Sequence, residues 1–215
     1  AEAIKNNSEL IKEISVERVR DELIKILSIP SKNPTGKIKF WQESELTESD
    51  LASGAIKGVE LLRDLGILKH IIPELEAGMG VTQNKHHIFT VWEHNMRAFA
   101  YAVKMDFSLE VKIASLFHDI GKPHSKRGEG PDSTFYGHEV AGAKITSGIL
   151  NRLKFPKNQR DKIIKLVRWH LFLSDPDKIT LSAVKRVVRN VGQENIWELI
   201  NVRKADRIGS GVPKD

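Results

Sequence analysis

The chain has 215 residues, with 34 Lys and Arg against 28 Asp and Glu, eight His and no Cys. This length suits one large domain or two small ones, and 40% hydrophobic with 29% charged residues is ordinary for a globular protein. Without Cys, a disulfide scaffold, a thiolate metal site and a cysteine nucleophile are excluded. The net charge of +6 permits phosphate-rich partners.

Targeting segments are not evident in the sequence. No stretch approaches the roughly 18 consecutive apolar residues that a membrane span needs. The first residues, Ala1 to Asn7, have neither a basic region nor an apolar stretch, so no signal peptide is predicted. We therefore expect no membrane association and predict a cytoplasmic protein.

The first half of the chain has helical periodicity. Apolar residues recur at helix spacing after Ser15, which is a good N-cap. The segment 30–47 is a charged loop punctuated by Pro and Gly. Thr47 and Asp50 then resemble a capping box that opens a helix running to about Leu65, with Gly66 as its stop.

The second half predicts further helices. Thr90 and Glu93 form a capping box for a helix to about Lys104, and Ser108 caps the next helix, which should end near Gly121. Pro156 is expected at the first position of a later helix. Four more helices are predicted near 137–154, 157–171, 180–191 and 193–208. Since no strand-period run is convincing, the sequence predicts an all-α fold.

Imidazole and carboxylate side chains are concentrated in this second half. The set is His94, His118, Asp119, His138, His170 and Asp206. Such ligands suit a divalent metal ion (Mn, Ni, Co, Fe, Mg or Zn), and converging helices can each donate one or two of them. The pair His118-Asp119 follows an apolar helix, whose rigid end would fix both ligands. The alternative is a set of capping and hydrogen-bonded polar residues.

The spacing and the local motifs resemble a known family. His94, His118-Asp119 and Asp206 match the H…HD…D signature of the HD metal-dependent phosphohydrolase superfamily. The sequence around these residues is similar to that of the C-terminal HD domain of bacterial tRNA nucleotidyltransferases (CCA-adding enzymes) and poly(A) polymerases. The motifs are Val91-Trp92-Glu93-His94, Leu116-Phe117-His118-Asp119-Ile120-Gly121-Lys122-Pro123 and Phe135-Tyr136-Gly137-His138-Glu139-Val140-Ala141-Gly142-Ala143.

Upstream segments extend the resemblance. Residues 14–23 and 61–75 resemble the helical neck that follows the nucleotidyltransferase head in that family. The resemblance therefore implies a helical neck over 1–80 and an HD-domain helical bundle over 81–215. The head's Gly-Ser element with paired aspartates is absent from this sequence, so we expect no nucleotide polymerisation by this chain.

The resemblance also implies roles for individual residues. His94, His118, Asp119 and Asp206 would hold the metal. Asp119 and Lys122 would act in catalysis. His138, His170 and Arg97 would hold a second metal or contact the phosphate. The implied activity is a phosphohydrolase or phosphodiesterase acting on nucleotide or RNA-end phosphates, with 2′,3′-cyclic phosphate as the leading substrate.

Other readings remain open. The chain could be a non-catalytic module in which neck and body grip tRNA, or a small-molecule signalling phosphodiesterase. The helix with Lys185, Arg186 and Arg189 has a basic face that solvation or nucleic-acid contact would explain equally well. Trp41, in the charged loop, could stack on a base or fold back onto the neck. Nothing in the sequence decides the oligomeric state.

Overall fold

The structure is a computed structural model that describes residues 2–31, 45–85, 88–173 and 179–211. Within these ranges it contains helices and no β-strand, apart from one isolated bridge between Arg127 and Thr134. The all-α prediction is therefore confirmed. The α-helices are α1 (Glu2–Asn6), α2 (Val16–Leu27), α3 (Glu48–Leu51), α4 (Gly54–Asp64), α5 (Leu68–Ile71), α6 (Pro73–Glu76), α7 (Val91–Lys104), α8 (Leu109–Phe117), α9 (Lys122–Ser125), α10 (His138–Arg152), α11 (Lys157–Trp169), α12 (Leu181–Val191) and α13 (Ile196–Gly209).

Side-chain caps set the helix starts that the sequence predicted. The Ser15 hydroxyl accepts a hydrogen bond from the Arg18 amide, and Ser108 caps α8 in the same way through Val111. Thr90 opens α7 with a complete capping box, since its hydroxyl accepts from the amide of Glu93 and its own amide donates to that carboxylate. Each cap satisfies an amide that the first turn would otherwise leave unpaired.

Several boundaries differ from prediction. The expected helix from Thr47 to Leu65 is two helices, because the capped α3 ends after one turn and Ser53 starts α4 with extended backbone. Helix α8 ends at Phe117, earlier than expected, and the short α9 begins within the predicted terminus at Lys122. Pro156 takes the N-cap position of α11, one residue before the predicted place, with an extended ψ of 141°.

Helix α7 lies at the centre of the bundle. Twelve of its fourteen residues are buried, as its Ala-rich second half predicts. It packs along α13 and α8, and α8 in turn packs on α11, which pairs with α10. Phe99 and Phe117 are among the largest buried side chains of this core. This arrangement brings the ends of five helices to one place.

The N-terminal helices share that core. Helix α2 packs on α4 and α8, and α4 packs on α7. Leu23, Leu27 and Val59 belong to the same apolar cluster as Phe99 and Phe117. The predicted boundary at residue 80 therefore divides segments that share one hydrophobic core, and it stays a prediction.

Helix α12 lies at the periphery. It rests mainly on α11, and only Val187 and Val191 are buried. Within the described ranges, no helix combines the length and the apolar character needed to cross a bilayer. The loop predictions that involve Trp41 fall on residues outside the described ranges.

Candidate metal centre

Four side chains from three elements meet in the interior. His94 comes from the first turn of α7, His118 and Asp119 from the end of α8, and Asp206 from α13. The Nε2 atom of His94 lies 2.8 Å from Nε2 of His118, 3.1 Å from Oδ2 of Asp119 and 3.2 Å from Oδ1 of Asp206. All four are buried, and their ligand atoms lie within 4.8 Å of one another. We call this group the first cluster.

A second cluster adjoins the first. His138 lies at the start of α10, and His170 directly follows α11. Their Nε2 atoms lie 3.1 Å and 3.7 Å from Oδ1 of Asp119. The structure therefore brings all six predicted histidine and aspartate residues together. Asp119 joins the two clusters, because Oδ2 faces the first and Oδ1 the second.

Backbone carbonyls orient three of the rings. Nδ1 of His118, His138 and His170 lies 2.8, 2.7 and 2.7 Å from the carbonyl oxygen three residues earlier. A carbonyl can only accept, so Nδ1 of each ring carries a proton and Nε2 faces the centre. This is the arrangement that outer hydrogen bonds impose on metal-binding histidines.

Lys122 and Gln83 flank the first cluster. The Lys122 ammonium lies 2.6 Å from Oδ2 of Asp119 and donates to the Gln83 side-chain oxygen, also at 2.6 Å. Gln83 in turn donates to the carbonyl oxygen of Phe89. Lys122 is buried and lies over the ring of Phe135. It is thus fixed against a predicted metal ligand from several sides.

The electrostatics of the site follow from buried opposite charges. Burial acts to lower the pKa of His118, but Asp119 and Asp206 outweigh it and raise that pKa to about 10. Burial acts to raise the pKa of Asp119, but Lys122 and His118 hold it well below its usual value. Burial dominates at His170 and lowers its pKa, so this ring is neutral and able to donate a lone pair.

These residues fit a divalent cation. The buried Nε2 of His138 lies 3.1 Å from Oδ1 of Asp119 but makes no well-aligned hydrogen bond within the described part of the chain. Two histidine Nε2 atoms face each other across 2.8 Å at the first cluster. Two Nε2 atoms this close together are unfavourable unless a proton or a metal ion lies between them. Imidazole and carboxylate donors favour Mn, Fe, Co, Ni or Zn.

Two glycines allow the helices to approach this closely. A Cβ atom on Gly121 would collide with the carbonyl oxygen of His138 and with the backbone of Gly142. A Cβ on Gly209 would lie 2.9 Å from the amide nitrogen of Ala98. Gly121 therefore brings the end of α8 against α10, and Gly209 brings α13, with Asp206, against α7.

A cleft of about 500 Å³ opens onto the clusters. Asp119, Asp206, Lys122 and His138 line its floor. Arg203 and Arg207 of α13 line its wall, and Arg203 is paired with Asp206. Tyr136 also lines the cleft and is 87% exposed. The cleft thus combines cations with an uncovered aromatic ring beside the metal-type ligands.

Three residues that line the cleft were not predicted from the sequence. Arg203 and Arg207 lie three residues before and one after Asp206, and that helical spacing was the signal available. Tyr136 lies within the motif Phe135-Tyr136-Gly137-His138, but its residue type alone does not indicate a role. Arg97, predicted as a phosphate contact, lies elsewhere: its guanidinium stacks 4.3 Å from the centre of the Phe89 ring, and it is not among the residues lining the cleft. Its phosphate role stays a prediction.

A helical bundle with clustered His and Asp at its centre is the architecture of an HD-type protein. The HD domain family model matches residues 91–209. The chain therefore belongs to the HD domain family. A second model, described as a probable RNA and SrmB-binding site of polymerase A, matches residues 1–34.

Similar proteins carry tRNA nucleotidyltransferase names. An A-adding tRNA nucleotidyltransferase of Deinococcus radiodurans is 31% identical over 92% of this chain and 40% of its own length. A CC-adding tRNA nucleotidyltransferase of Thermus thermophilus is 31% identical over 74% of this chain and 41% of its own. A Multifunctional CCA protein of Halorhodospira halophila is 33% identical over 62% and 32%. The chain thus spans about two fifths or less of these curated relatives.

Proposed function

We propose that this chain is a metal-dependent phosphohydrolase that cleaves nucleotide or RNA-end phosphates, with a 2′,3′-cyclic phosphodiester as its leading substrate. The observation that carries the proposal is the pair of clusters joined by Asp119 at the floor of an open cleft. A purely structural polar core has no need for an open cleft lined by Lys and Arg. The proposed setting is a cytoplasmic, tRNA nucleotidyltransferase-like protein.

In this proposal His94, His118, Asp119 and Asp206 hold one divalent ion, and His138 and His170 hold a second ion or the phosphate. The ion would lower the pKa of a coordinated water and polarise the phosphoryl group. The chain's own residues supply the rest. Oδ1 of Asp119 faces the second cluster and would orient the attacking water, while Lys122 keeps that carboxylate ionised.

The cleft wall would bind the substrate. Arg207 lines the cleft and would contact phosphate oxygens, and Arg203, which pairs with Asp206, would hold that ligand. The exposed ring of Tyr136 would stack on the nucleobase. The substrate would therefore be a nucleotide or an RNA end rather than an isolated phosphate ester.

The test is hydrolysis of 2′,3′-cyclic AMP by the full chain with Mn, Ni, Co or Mg added in turn. We expect metal-dependent turnover that His118→Ala abolishes. His70→Ala is the matched control, because His70 lies on α5, away from the clusters, beside Ser8. Bound metal per chain, measured by mass spectrometry on the same samples, should fall in His118→Ala alone.

A second candidate is a non-catalytic tRNA-binding module, which the match of residues 1–34 to an RNA-binding model favours. In that case the folded parent protein would show no turnover with any metal. It would still bind tRNA in a salt-dependent way, and His118→Ala would bind as the parent does.

A further inference from the structure

The positive charge of the chain is concentrated on two adjacent helices. Helices α11 and α12 carry eight cationic residues and a single acid, Asp161, a balance of +7. The whole chain has a net charge of +6, so all remaining residues together amount to −1. The cations are Lys157, Arg160, Lys162, Lys165, Arg168, Lys185, Arg186 and Arg189.

The two helices differ in how this charge is balanced. On α11, the carboxylates of Asp161, Glu198 and Glu139 pair with Lys157, Lys162 and Arg168. Helix α12 contains no acidic residue. The exposed side chains of Lys185, Arg186 and Arg189 make no ion pair with any residue in the described part of the chain. We call these three side chains together with Lys165 the basic surface.

The basic surface is spread over two helices that pack on each other. Lys165 of α11 reaches the carbonyl oxygen of Val191 at the end of α12, with a distance of 3.5 Å. Val187 and Val191 are buried against the bundle, so one face of α12 is anchored. The charged side chains of α12 therefore project from a fixed helix.

This part of the molecule also adjoins the segment that matches an RNA-binding model. Arg20 of α2 donates to the carbonyl oxygen of Lys154, and the Lys154 ammonium pairs with Glu17 at 2.7 Å. Lys157, three residues after Lys154, begins α11. Helix α11 thus starts beside residues 1–34 and leads about 20 Å away toward α12, at 1.5 Å per residue.

We propose that the basic surface binds the phosphate backbone of a structured RNA, which residues 1–34 would contact as well. The Lys and Arg side chains of α12 have no carboxylate partner in the described part of the chain, so they can contact phosphates and release counterions on binding. Helix α12 has no aromatic residue to stack on bases, so the contact would be independent of sequence. The inference goes beyond the proposed hydrolase and does not need hydrolysis at the clusters.

The test compares two variants with equal changes in charge. Lys185→Gln/Arg189→Gln removes two cations from the basic surface, and Lys57→Gln/Lys69→Gln removes two exposed cations from α4 and α5. The probe is a fluorescent 20-base-pair RNA hairpin of arbitrary sequence. Its dissociation constant is measured by anisotropy from low to moderate salt, without added metal.

We expect the α12 variant to bind about tenfold more weakly and to lower the slope of log Kd against log salt by about 2. The control should bind as the parent does. Equal behaviour of the two variants, or no RNA binding by the parent, would overturn the proposal. So would tighter binding to phosphatidylserine vesicles than to RNA, because exposed Leu181 and Val184 share α12 with the cations.

The outcome is independent of the clusters. His118→Ala, run in the same assay, should keep the parent's salt slope if the basic surface alone is responsible. Absence of hydrolysis by the folded parent protein with every metal, together with an intact salt slope, would overturn the proposed hydrolase function and leave this inference standing. The reverse pattern would sink this inference alone.

Discussion

The cleft and the basic surface use charge in opposite ways. In the cleft, the carboxylates of Asp119 and Asp206 are buried, and His, Lys and Arg groups surround them at about hydrogen-bond distance. On α12, three cations point into solvent without a carboxylate partner in the described structure. A buried charge needs fixed partners, because desolvation costs several kcal/mol per ion. An exposed cation needs no fixed partner, so it can bind a phosphate.

Mutations in the two regions should therefore have effects of different size. Changes in the cleft disturb a coupled set of buried groups and should be large and non-additive. Changes on the basic surface should leave the free energy of unfolding nearly unchanged, because exposed ion pairs and charges contribute little.

The largest effect is expected for Asp119→Asn. The amide cannot serve both clusters as an anionic ligand, so hydrolysis of 2′,3′-cyclic AMP should fall by about a thousandfold, on the order of 4 kcal/mol of transition-state stabilisation. Metal content should fall with it. The control is Asp161→Asn on the exposed face of α11, which should leave hydrolysis and metal content unchanged. An Asp119→Asn protein with parental metal content would contradict the assignment of Asp119 as a metal ligand.

Gly121→Ala tests the close packing beneath the clusters. The new methyl group would collide with the backbone of His138 and Gly142. Backbone atoms cannot move aside as a flexible side chain can. We expect destabilisation of about 3 kcal/mol in urea denaturation. Gly148→Ala is the matched control, since its Cβ meets nothing within 4 Å and the change should stabilise α10 by up to ~1 kcal/mol. Equal stability of the two variants would refute the packing argument.

Asp50→Asn tests a buried ion pair remote from the cleft. Asp50 accepts from the Lys104 ammonium at 2.9 Å, and both side chains are buried. We expect a loss of about 2 kcal/mol at pH 7, because Lys104 keeps its charge without its carboxylate partner.

The same variant has a defined pH dependence. Burial acts to raise the pKa of Asp50, but hydrogen bonds from Thr47 and Lys104 outweigh it and lower the pKa below its usual value of 3.8. The stabilisation is therefore fully present above pH 3.8 and is lost as the pH falls through the lower folded value. Urea denaturation at pH 7 and pH 3 should show the two proteins converging in acid. A constant difference would contradict the ion-pair assignment.

The smallest effect is expected at the lip of the cleft. Tyr136→Ala should raise KM for 2′,3′-cyclic AMP by about fivefold, on the order of 1 kcal/mol, and leave kcat nearly unchanged. Tyr136→Phe keeps the ring and should behave as the parent does. An unchanged KM in Tyr136→Ala would show that the ring does not contact the base. Steady-state kinetics on the three proteins decide this.

The helix starts were predicted mainly from local physical signals. Ser15, Thr90 and Ser108 are caps that act within four residues, so their helix starts could be read directly from the sequence. The helix breaks at Ser53 and after Phe117 could not, because they depend on contacts with distant segments. Gly54, for example, lies where a Cβ would be 2.8 Å from a methyl carbon of Ile29.

The candidate site shows the same division. The six His and Asp residues could be selected from the sequence because four of them match the H…HD…D signature and His138 and His170 add imidazoles in the same half of the chain. Their arrangement into two clusters with Asp119 shared could not, since the ligands come from helices more than a hundred residues apart. Gln83 accepts a hydrogen bond from Lys122, which is 39 residues later in the chain. No local sequence pattern predicts this contact.

The sequence alone was sufficient for the all-α class and the capped helix starts, because each depends on residue chemistry and short spacing. The candidate ligands were selected from it through the H…HD…D resemblance. Only the tertiary structure decided that Asp119 joins two clusters, that Arg203 and Arg207 take the cleft wall while Arg97 stacks on Phe89, and that α11 links residues 1–34 to α12. The physical reason is that helix packing sets distances between residues remote in the chain, and close approach at Gly121 and Gly209 fixes them.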